Sequence, residues 1–278
     1  MFAYGSLSVI LVLYLVEIGL AETAIGLLFS LTLAGDAGIS LWLTTSADRI
    51  GRKRMLLLGA LLMILAGVVF LLTRNVYLLT LAAIIGVISP SGNEIGPFLS
   101  IEQAALSQLV PDKQRTKIFA WYNLSGSFAT ATGALVGGWL AKILQSSGWN
   151  AFDSYRMILS GYAMAGVLLF ILFLSLSPAV DAPPAEPSVQ RKLGLHKSRG
   201  VVARLSALFA LDAFAGGLII QSLMAYWFHL RFGVDEAVLG SIFFGANILA
   251  GISALLAVRF AKRFGLINTM VFTHIPSS

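Results

Sequence analysis

The feature that most constrains the fold is a series of apolar blocks, each close to 20 residues long, separated by short polar connections. A helix needs about 20 apolar residues to cross the hydrocarbon core of a bilayer. Hydrophobic residues make up 58% of the chain and charged residues only 12%, about half the charged share of a soluble domain. The pattern therefore predicts an all-α fold, a polytopic membrane helix bundle.

The apolar blocks predict eight full spans and part of a ninth. The eight blocks cover roughly 3–20, 24–45, 55–72, 76–99, 118–144, 155–176, 201–228 and 238–258, and the ninth begins near 267. The fourth block contains helix-breaking prolines and glycines, so we expect its helix to be interrupted. A polar, proline-rich stretch follows the sixth block and is typical of a linker. We predict an N-terminal six-helix transmembrane half (1–177), a cytoplasmic linker (178–200) and a partial C-terminal transmembrane half (201–278).

The distribution of positive charge predicts how the chain is oriented in the membrane. Fifteen of the 19 Lys and Arg residues fall in the connections after the second, fourth, sixth and eighth spans. Cytoplasmic loops carry such an excess, so we place these connections and the N-terminus in the cytoplasm, with the chain in the cell membrane. The same topology accounts for the net charge of +6 without a nucleic-acid partner.

Two short motifs resemble signatures of a known family, the major facilitator superfamily (MFS). The connection between its second and third spans reads approximately Gly-x-Leu-x-Asp-Arg-x-Gly-Arg-Lys. Here the five positions from Asp onward match, and Thr44 and Ser46 replace the first Gly and the Leu; the matching residues are Asp48, Arg49, Gly51, Arg52 and Lys53. The fifth-span signature, Gly-x-x-x-Gly-Pro-x-x-Gly-Gly, is matched by three glycines, Gly133, Gly137 and Gly138. That second signature is associated with exporters.

The resemblance implies an MFS-type bundle of twelve spans, so we expect this chain to be a truncated product. It also implies a secondary transporter that moves a small solute by alternating access, with proton-coupled efflux as one form. A short internal repeat favours two related halves. It consists of Arg49-Ile50-Gly51 after the second span and Arg263-Phe264-Gly265 after the eighth. We expect no cofactor, contact with the lipid bilayer, and a monomer when full length.

The first motif also implies a conformational latch at the cytoplasmic face. In the family, the Asp at position 48 lies against the eleventh span, which this chain lacks, so we expect Asp48 to be without its main partner. Arg49, Gly51, Arg52 and Lys53 would complete the latch. We expect Glu102 to join it by pairing with Arg52 or Arg54. The three glycines of the second motif most simply allow close helix packing.

Polar groups at bilayer depth are costly and are therefore functional candidates. The candidates for substrate contact or proton coupling are Asp212, Glu94, Asn93, Asp36 and Gln221. By resemblance, Asp212 and Glu94 lie on spans that line the central cavity, and prolines and glycines near Asn93 free backbone groups to line it. The alternative is packing alone, which we favour for Asp36 between Gly35 and Gly38. For Gln221 an interhelical hydrogen bond is the simpler interpretation.

Two other functions compete with transport. A membrane-embedded enzyme would need a nucleophile or metal constellation, and the sequence has no Gly-x-Ser-x-Gly, no His-Glu-x-x-His and no cysteine. Its three histidines, His196, His229 and His274, are far apart and indicate no metal site. The second alternative is a non-transporting remnant of a transporter. The sequence identifies neither the substrate nor the direction of transport.

Overall fold

The computed structural model describes residues 1–86, 88–92, 97–181, 199–216, 220–265, 268–269 and 271–272. Over these residues the regular structure is helical, which confirms the all-α prediction there. A short 3-10 turn covers Pro178–Val180. The α-helices are α1 (Phe2–Glu17), α2 (Glu22–Ile50), α3 (Arg52–Leu72), α4 (Val76–Ile85), α5 (Pro97–Leu109), α6 (Asp112–Ser146), α7 (Ala151–Leu174), α8 (Arg199–Gly216), α9 (Gln221–Phe232) and α10 (Glu236–Phe264).

Five helices in the described part of the chain are long and apolar enough to cross a membrane. They correspond to the predicted second, third, fifth, sixth and eighth spans; the qualifying stretches are Glu22–Ile50, Arg52–Leu72, Gln114–Ser146, Ala151–Leu174 and Glu236–Phe264. Each contains an uninterrupted apolar run with few charges, which is the composition that a spanning helix needs.

The predicted first, fourth and seventh spans differ from simple spanning helices. Helix α1 has 16 residues, or about 24 Å of helix. The fourth block forms two helices, α4 and α5, and the second of them continues ten residues beyond the predicted end at Leu99. The seventh block, predicted as one helix, is also divided, because α8 ends at Gly216 and α9 begins at Gln221. Most of the predicted linker and ninth span lies outside the described residues.

Helix α1 forms the centre of the bundle. Every residue from Ala3 to Leu15 is buried, as expected for a helix that is apolar on all sides. It packs against α6, α7 and α9. Helix α6 in turn runs along both α1 and α10, so it connects the first predicted half of the chain with the second.

Small residues allow α6 to approach both neighbours closely. A Cβ atom on Gly133 would overlap the Phe2 carbonyl oxygen of α1, and one on Gly137 would lie 2.8 Å from the Ser6 backbone. A Cβ atom on Gly138 would overlap the Glu236 carbonyl oxygen of α10. The Ser6 hydroxyl donates to the Gly133 carbonyl at 2.9 Å. These three glycines therefore lie at backbone-to-backbone contacts between helices.

Candidate functional site

The interruptions in the fourth and seventh blocks meet beside α1. The Ser222 backbone N–H and hydroxyl both donate to the Pro90 carbonyl, at 3.1 and 2.7 Å. The Gln221 side-chain amide donates to the Ser8 hydroxyl at 2.8 Å. We call these four residues, Ser8, Pro90, Gln221 and Ser222, the central junction. It joins helices from the two predicted halves near the middle of α1.

The local sequence explains why this junction forms. The first turn of a helix has N–H groups without intrahelical partners, and Ile220 at the N-cap of α9 supplies no side-chain acceptor. The Pro90 carbonyl, outside any helix, accepts one of those N–H groups. Gly92 has φ of 76°, a conformation that favours glycine. A Cβ atom there would also lie 2.9 Å from the Gln221 side-chain oxygen.

Polar atoms are concentrated and buried at the junction. Ser8 and Ser222 are fully buried and Ser89 nearly so. The Ser8 hydroxyl accepts from Gln221 and donates to the Gly5 carbonyl at 2.8 Å, so both of its roles are filled. Non-helical backbone at bilayer depth is tolerated only where protein or a water-filled cavity satisfies it. The junction meets that requirement with bonds that break if the interrupted helices separate.

Asp36 lies on α2, next to a glycine that packs against the end of α4. Its side chain is buried, with 2% of the residue exposed, and its Oδ2 atom has no hydrogen-bond partner among the described residues. The preceding Gly35 contacts Ile84 in the last turn of α4, where a Cβ atom would lie 2.7 Å from the Ile84 side chain. Asp36 is therefore a buried carboxyl close to the point where α4 ends.

The remaining predicted polar candidates are only partly placed. Gln221 makes the interhelical bond described above. Asp212 belongs to α8, but its side chain is outside the described part of the structure, as are Asn93 and Glu94 altogether. Asn247, another polar residue within an apolar helix, donates to the Phe243 carbonyl of its own helix at 2.8 Å.

The predicted latch residues cluster at the turn between α2 and α3. The Arg52 guanidinium has 4% of its side chain exposed and contacts Asp48 Oδ1 through Nε and Nη2, both at 3.0 Å. Its Nη1 donates to Gln108 on α5 at 2.7 Å. Asp48 is 65% exposed and faces Arg52 of its own turn rather than a distant helix terminus. Gly51 ends α2 with φ of 111°, and Arg49 is exposed.

Lys53 connects this turn to the end of α7 and to Asp181, a residue that the sequence did not single out. Its backbone N–H donates to Asp181 Oδ1 at 3.1 Å, and its ammonium donates to the carbonyls of Leu174 and Leu176 at 2.7 and 2.8 Å. Helix α3 has no acidic residue in its first turn and no cap from its own N-cap side chain. That deficiency was the available signal that an acidic residue from elsewhere caps the helix.

Glu102 has a different partner from the one predicted. It accepts a hydrogen bond from the Tyr122 hydroxyl at 2.5 Å, whereas Arg52 is occupied by Asp48 and Gln108. The Glu102–Tyr122 pair lines a cavity of about 520 Å³ that also contacts Tyr4 and Phe98. The expected pairing of Glu102 with Arg52 or Arg54 is therefore not found among the described residues, and Glu102 instead forms a bond between α5 and α6.

Fold and site together define a class of protein: a polytopic helical membrane protein whose interrupted helices meet within the bundle, an arrangement that secondary transporters use. A sequence model of one family, the Major Facilitator Superfamily, matches residues 1–277. The chain belongs to the Major Facilitator Superfamily, a family of transporters. The resemblance drawn from residues 44–53 and 129–138 is confirmed.

Three relatives show how far the similarity extends. An uncharacterized membrane protein of Saccharomyces cerevisiae is 32% identical over 99% of this chain and 68% of its own length. Multidrug resistance protein MdtG of Serratia proteamaculans is 30% identical over 70% of this chain and 43% of its own length. Quinolone resistance protein NorA of Staphylococcus aureus is 25% identical over 60% and 39%. The matched region thus spans less than half of the two bacterial relatives.

Proposed function

We propose that this chain carries the substrate-responsive core of a secondary transporter that moves a small solute by alternating access. The observation that carries the proposal is the pair of hydrogen bonds from Ser222 to the Pro90 carbonyl. They join two interrupted helices across the predicted halves, and alternating access requires contacts at that boundary to form and break. Substrate groups compete for the same carbonyl and hydroxyl when the halves separate.

Export is the direction we propose. The partial fifth-span signature favours it, as do the names of the two bacterial relatives, which refer to multidrug and quinolone resistance. We place the protein in the cell membrane with its N-terminus in the cytoplasm, and we expect the full-length molecule to be monomeric.

We assign proton coupling to carboxyl groups within the predicted spans. A carboxyl oxygen without a hydrogen-bond partner among the described residues is costly at bilayer depth, which supports Asp36 as a proton-exchanging group close to the end of α4. Asp212 and Glu94, with Asn93, remain the candidates on the spans that the family resemblance assigns to the cavity. The turn around Asp48 and Arg52 serves as the cytoplasmic latch, tied by Gln108 to α5.

Uptake into everted membrane vesicles with an acidic interior tests the proposal. The fluorescent quinolone ciprofloxacin serves as the probe, and we compare the wild-type chain with Ser222→Ala. Loss of one interhelical hydrogen bond, about 0.6 kcal/mol, predicts about a threefold change in initial rate. Ser30→Ala is the matched control, because Ser30 is exposed and its hydroxyl donates only within its own helix.

Equal uptake by wild-type, Ser222→Ala and empty vesicles would remove the transport assignment from this chain. That outcome would favour the alternative of a non-transporting remnant. If Ser222→Ala takes up the probe as fast as wild type, and both are well above empty vesicles, the chain transports but the central junction has no part in transport.

A further inference from the structure

A groove lies between α6 and α10, at the end of the bundle that is predicted to face outward. It has a volume of about 480 Å³, and its lining includes Trp139 and Lys142 of α6 and Asp235, Val238, Ser241 and Ile242 at the start of α10. We call these six residues the α6–α10 groove. Its large apolar side chains are 42–50% exposed, so the groove opens toward the surroundings of the bundle and not toward its core.

Close packing of two backbones explains why the groove forms. A Cβ atom on Gly240 would lie 2.6 Å from the Ala134 carbonyl oxygen, so the backbones of α6 and α10 are in contact here. A side chain as large as Trp139 is excluded from that contact and lies beside it. The Trp139 indole N–H donates to the Ser241 hydroxyl at 3.3 Å, which orients the ring toward α10. The groove therefore has an aromatic wall on one side and the start of α10 on the other.

Two opposite charges lie at the polar end of the groove. The Lys142 ammonium is 3.0 Å from Asp235 Oδ2, and the two side chains are 47% and 36% exposed. An ammonium has three N–H donors and a carboxylate accepts at several positions, so this contact leaves capacity for further bonds at both groups. An exposed ion pair contributes little to stability. Each group can therefore also contact a ligand group of the opposite charge.

The groove lies at the depth of the lipid–water interface. Lys142 is in the last turns of α6, and Asp235 immediately precedes α10, so both charges lie at the ends of predicted spans. Tryptophan is enriched at this depth. Toward the centre of the bilayer, one face of α10 is exposed and apolar at helical spacing, with Val238, Ile242, Leu249, Ile252 and Leu256. This stripe is about 27 Å long, longer than the hydrocarbon of one leaflet, about 15 Å.

We propose that the α6–α10 groove binds one phospholipid whose head group carries a primary ammonium, as in phosphatidylethanolamine. The lipid phosphate contacts the Lys142 ammonium, and the lipid ammonium donates to the Asp235 carboxylate. An acyl chain lies against Trp139 and follows the exposed stripe of α10. Phosphatidylcholine binds more weakly, because its quaternary ammonium has no N–H to donate. The charges of Lys142 and Asp235 cancel, so the groove has no net positive charge to select an anionic lipid.

The charge pattern favours a lipid over a second protein helix as the occupant. A packed helix would cover Lys142 and Asp235 and remove them from water, and desolvated charges are costly unless they are paired and hydrogen-bonded. A zwitterionic head group brings an opposite charge to each of them and leaves all four charges at the hydrated surface. The inference concerns lipid binding alone and does not depend on the proposed transport.

Quenching of tryptophan fluorescence by brominated phospholipids tests the proposal, because bromine quenches only a tryptophan that the acyl chain contacts. The chain has five tryptophans, and two single-tryptophan chains are compared in which phenylalanine replaces the others. One chain keeps Trp139. The other keeps Trp121, the matched control, which lies about five helical turns earlier on the same face of α6 and is similarly exposed, 55% against 50%.

Both chains are reconstituted in phosphatidylcholine vesicles with increasing fractions of one brominated lipid. The brominated lipids are phosphatidylethanolamine, phosphatidylcholine and phosphatidylglycerol, and their quenching curves give relative affinities at each tryptophan. At Trp139 we expect phosphatidylethanolamine to bind about fivefold more tightly than phosphatidylcholine, the ratio that one exposed ion pair can supply. Trp121 should not distinguish between these two lipids.

Two substitutions in the Trp139 chain assign the head-group contacts. Asp235→Asn keeps an acceptor for the cap of α10 but should lose the preference for phosphatidylethanolamine. It should favour phosphatidylglycerol instead, because Lys142 is left without its opposite charge. Lys142→Gln should keep the preference for phosphatidylethanolamine over phosphatidylcholine, since both lipids carry the phosphate that Lys142 contacts.

Equal affinity of phosphatidylethanolamine and phosphatidylcholine at Trp139 would overturn the inference, as would a preference that survives in Asp235→Asn. A wild-type preference for phosphatidylglycerol would overturn it as well. So would protection of Trp139, relative to Trp121, from all three brominated lipids, because another helix or a second copy of the chain would then cover the groove. If Asp235→Asn does not accumulate, Asp235→Ser takes its place, since serine also caps a helix and carries no charge.

Discussion

Replacing Gly133 with alanine should separate the packing role of the fifth-span glycines from the general preference of helices for alanine. The new Cβ atom would fall on the Phe2 carbonyl oxygen, so α6 must move away from α1 or Phe2 must shift. Overpacking of this kind costs about 1–3 kcal/mol. The Ser6 hydrogen bond to the Gly133 carbonyl would be strained by the same displacement.

The chain supplies a matched control in Gly161, a helical glycine of α7 where a Cβ atom would meet nothing within 4 Å. Gly161→Ala should be neutral or stabilising by up to about 1 kcal/mol, because alanine favours helix. The difference between the two variants, of about 1–3 kcal/mol, is then the packing contribution. Reversible unfolding in sodium dodecyl sulfate, followed by circular dichroism, measures both. Equal stability of the two variants would refute the close-approach argument.

Two further outcomes follow from contacts at the two ends of the bundle. Asp181→Ala should lower the free energy of unfolding by about 1 kcal/mol, because α3 loses the acceptor for its Lys53 N–H. Asp181→Asn keeps an acceptor oxygen, so it should retain most of that stability in the same unfolding assay. The Val238 N–H, and after it the Lys142 ammonium at 3.0 Å, hold the pKa of Asp235 below its ordinary value. These contacts therefore contribute stability above the unfolded-state pKa, and the contribution is lost only as the pH falls through the lower folded-state pKa. The effect of Asp235→Asn on stability should therefore be constant between about pH 5 and 8; a cost that changes within this window contradicts the assignment.

The parts of the fold that could be predicted from the sequence were those encoded locally. Continuous apolar runs with few charges predicted α2, α3, α6, α7 and α10, since length and hydropathy decide such helices. The break after α4 was predictable as well, because Pro90 cannot continue a helix. The division between α8 and α9 was missed, because the extended N-cap residue of α9, Ile220, lies in an apolar run that contains no proline.

The site depended on contacts between distant segments, which a local pattern does not encode. Gln221 stood out as a polar residue in an apolar run, but nothing near it indicates that its partner is Ser8. The bond between Ser222 and Pro90 joins residues 132 positions apart. Conversely, the turn from Asp48 to Lys53 was recognisable because its residues match a family motif, although the motif did not indicate the bond between Asp48 and Arg52. Its ties to Gln108 and Asp181 become visible only when the helices are assembled.

Helix α9 joins the central junction to the first turn of α10. It begins at Gln221 beside the junction and has 12 residues, or about 18 Å of helix. Only residues 233–235 separate α9 from α10. Gly233 caps the C-terminal end of α9 in the left-handed conformation, with φ of 64°. Because this connection is short, we expect a displacement of Glu236 from the Tyr155 hydroxyl, which donates to it, to be transmitted through α9 to Ser222. Such a displacement would loosen the hydrogen bonds from Ser222 to the Pro90 carbonyl, and the proposed alternating access requires a coupling of this kind.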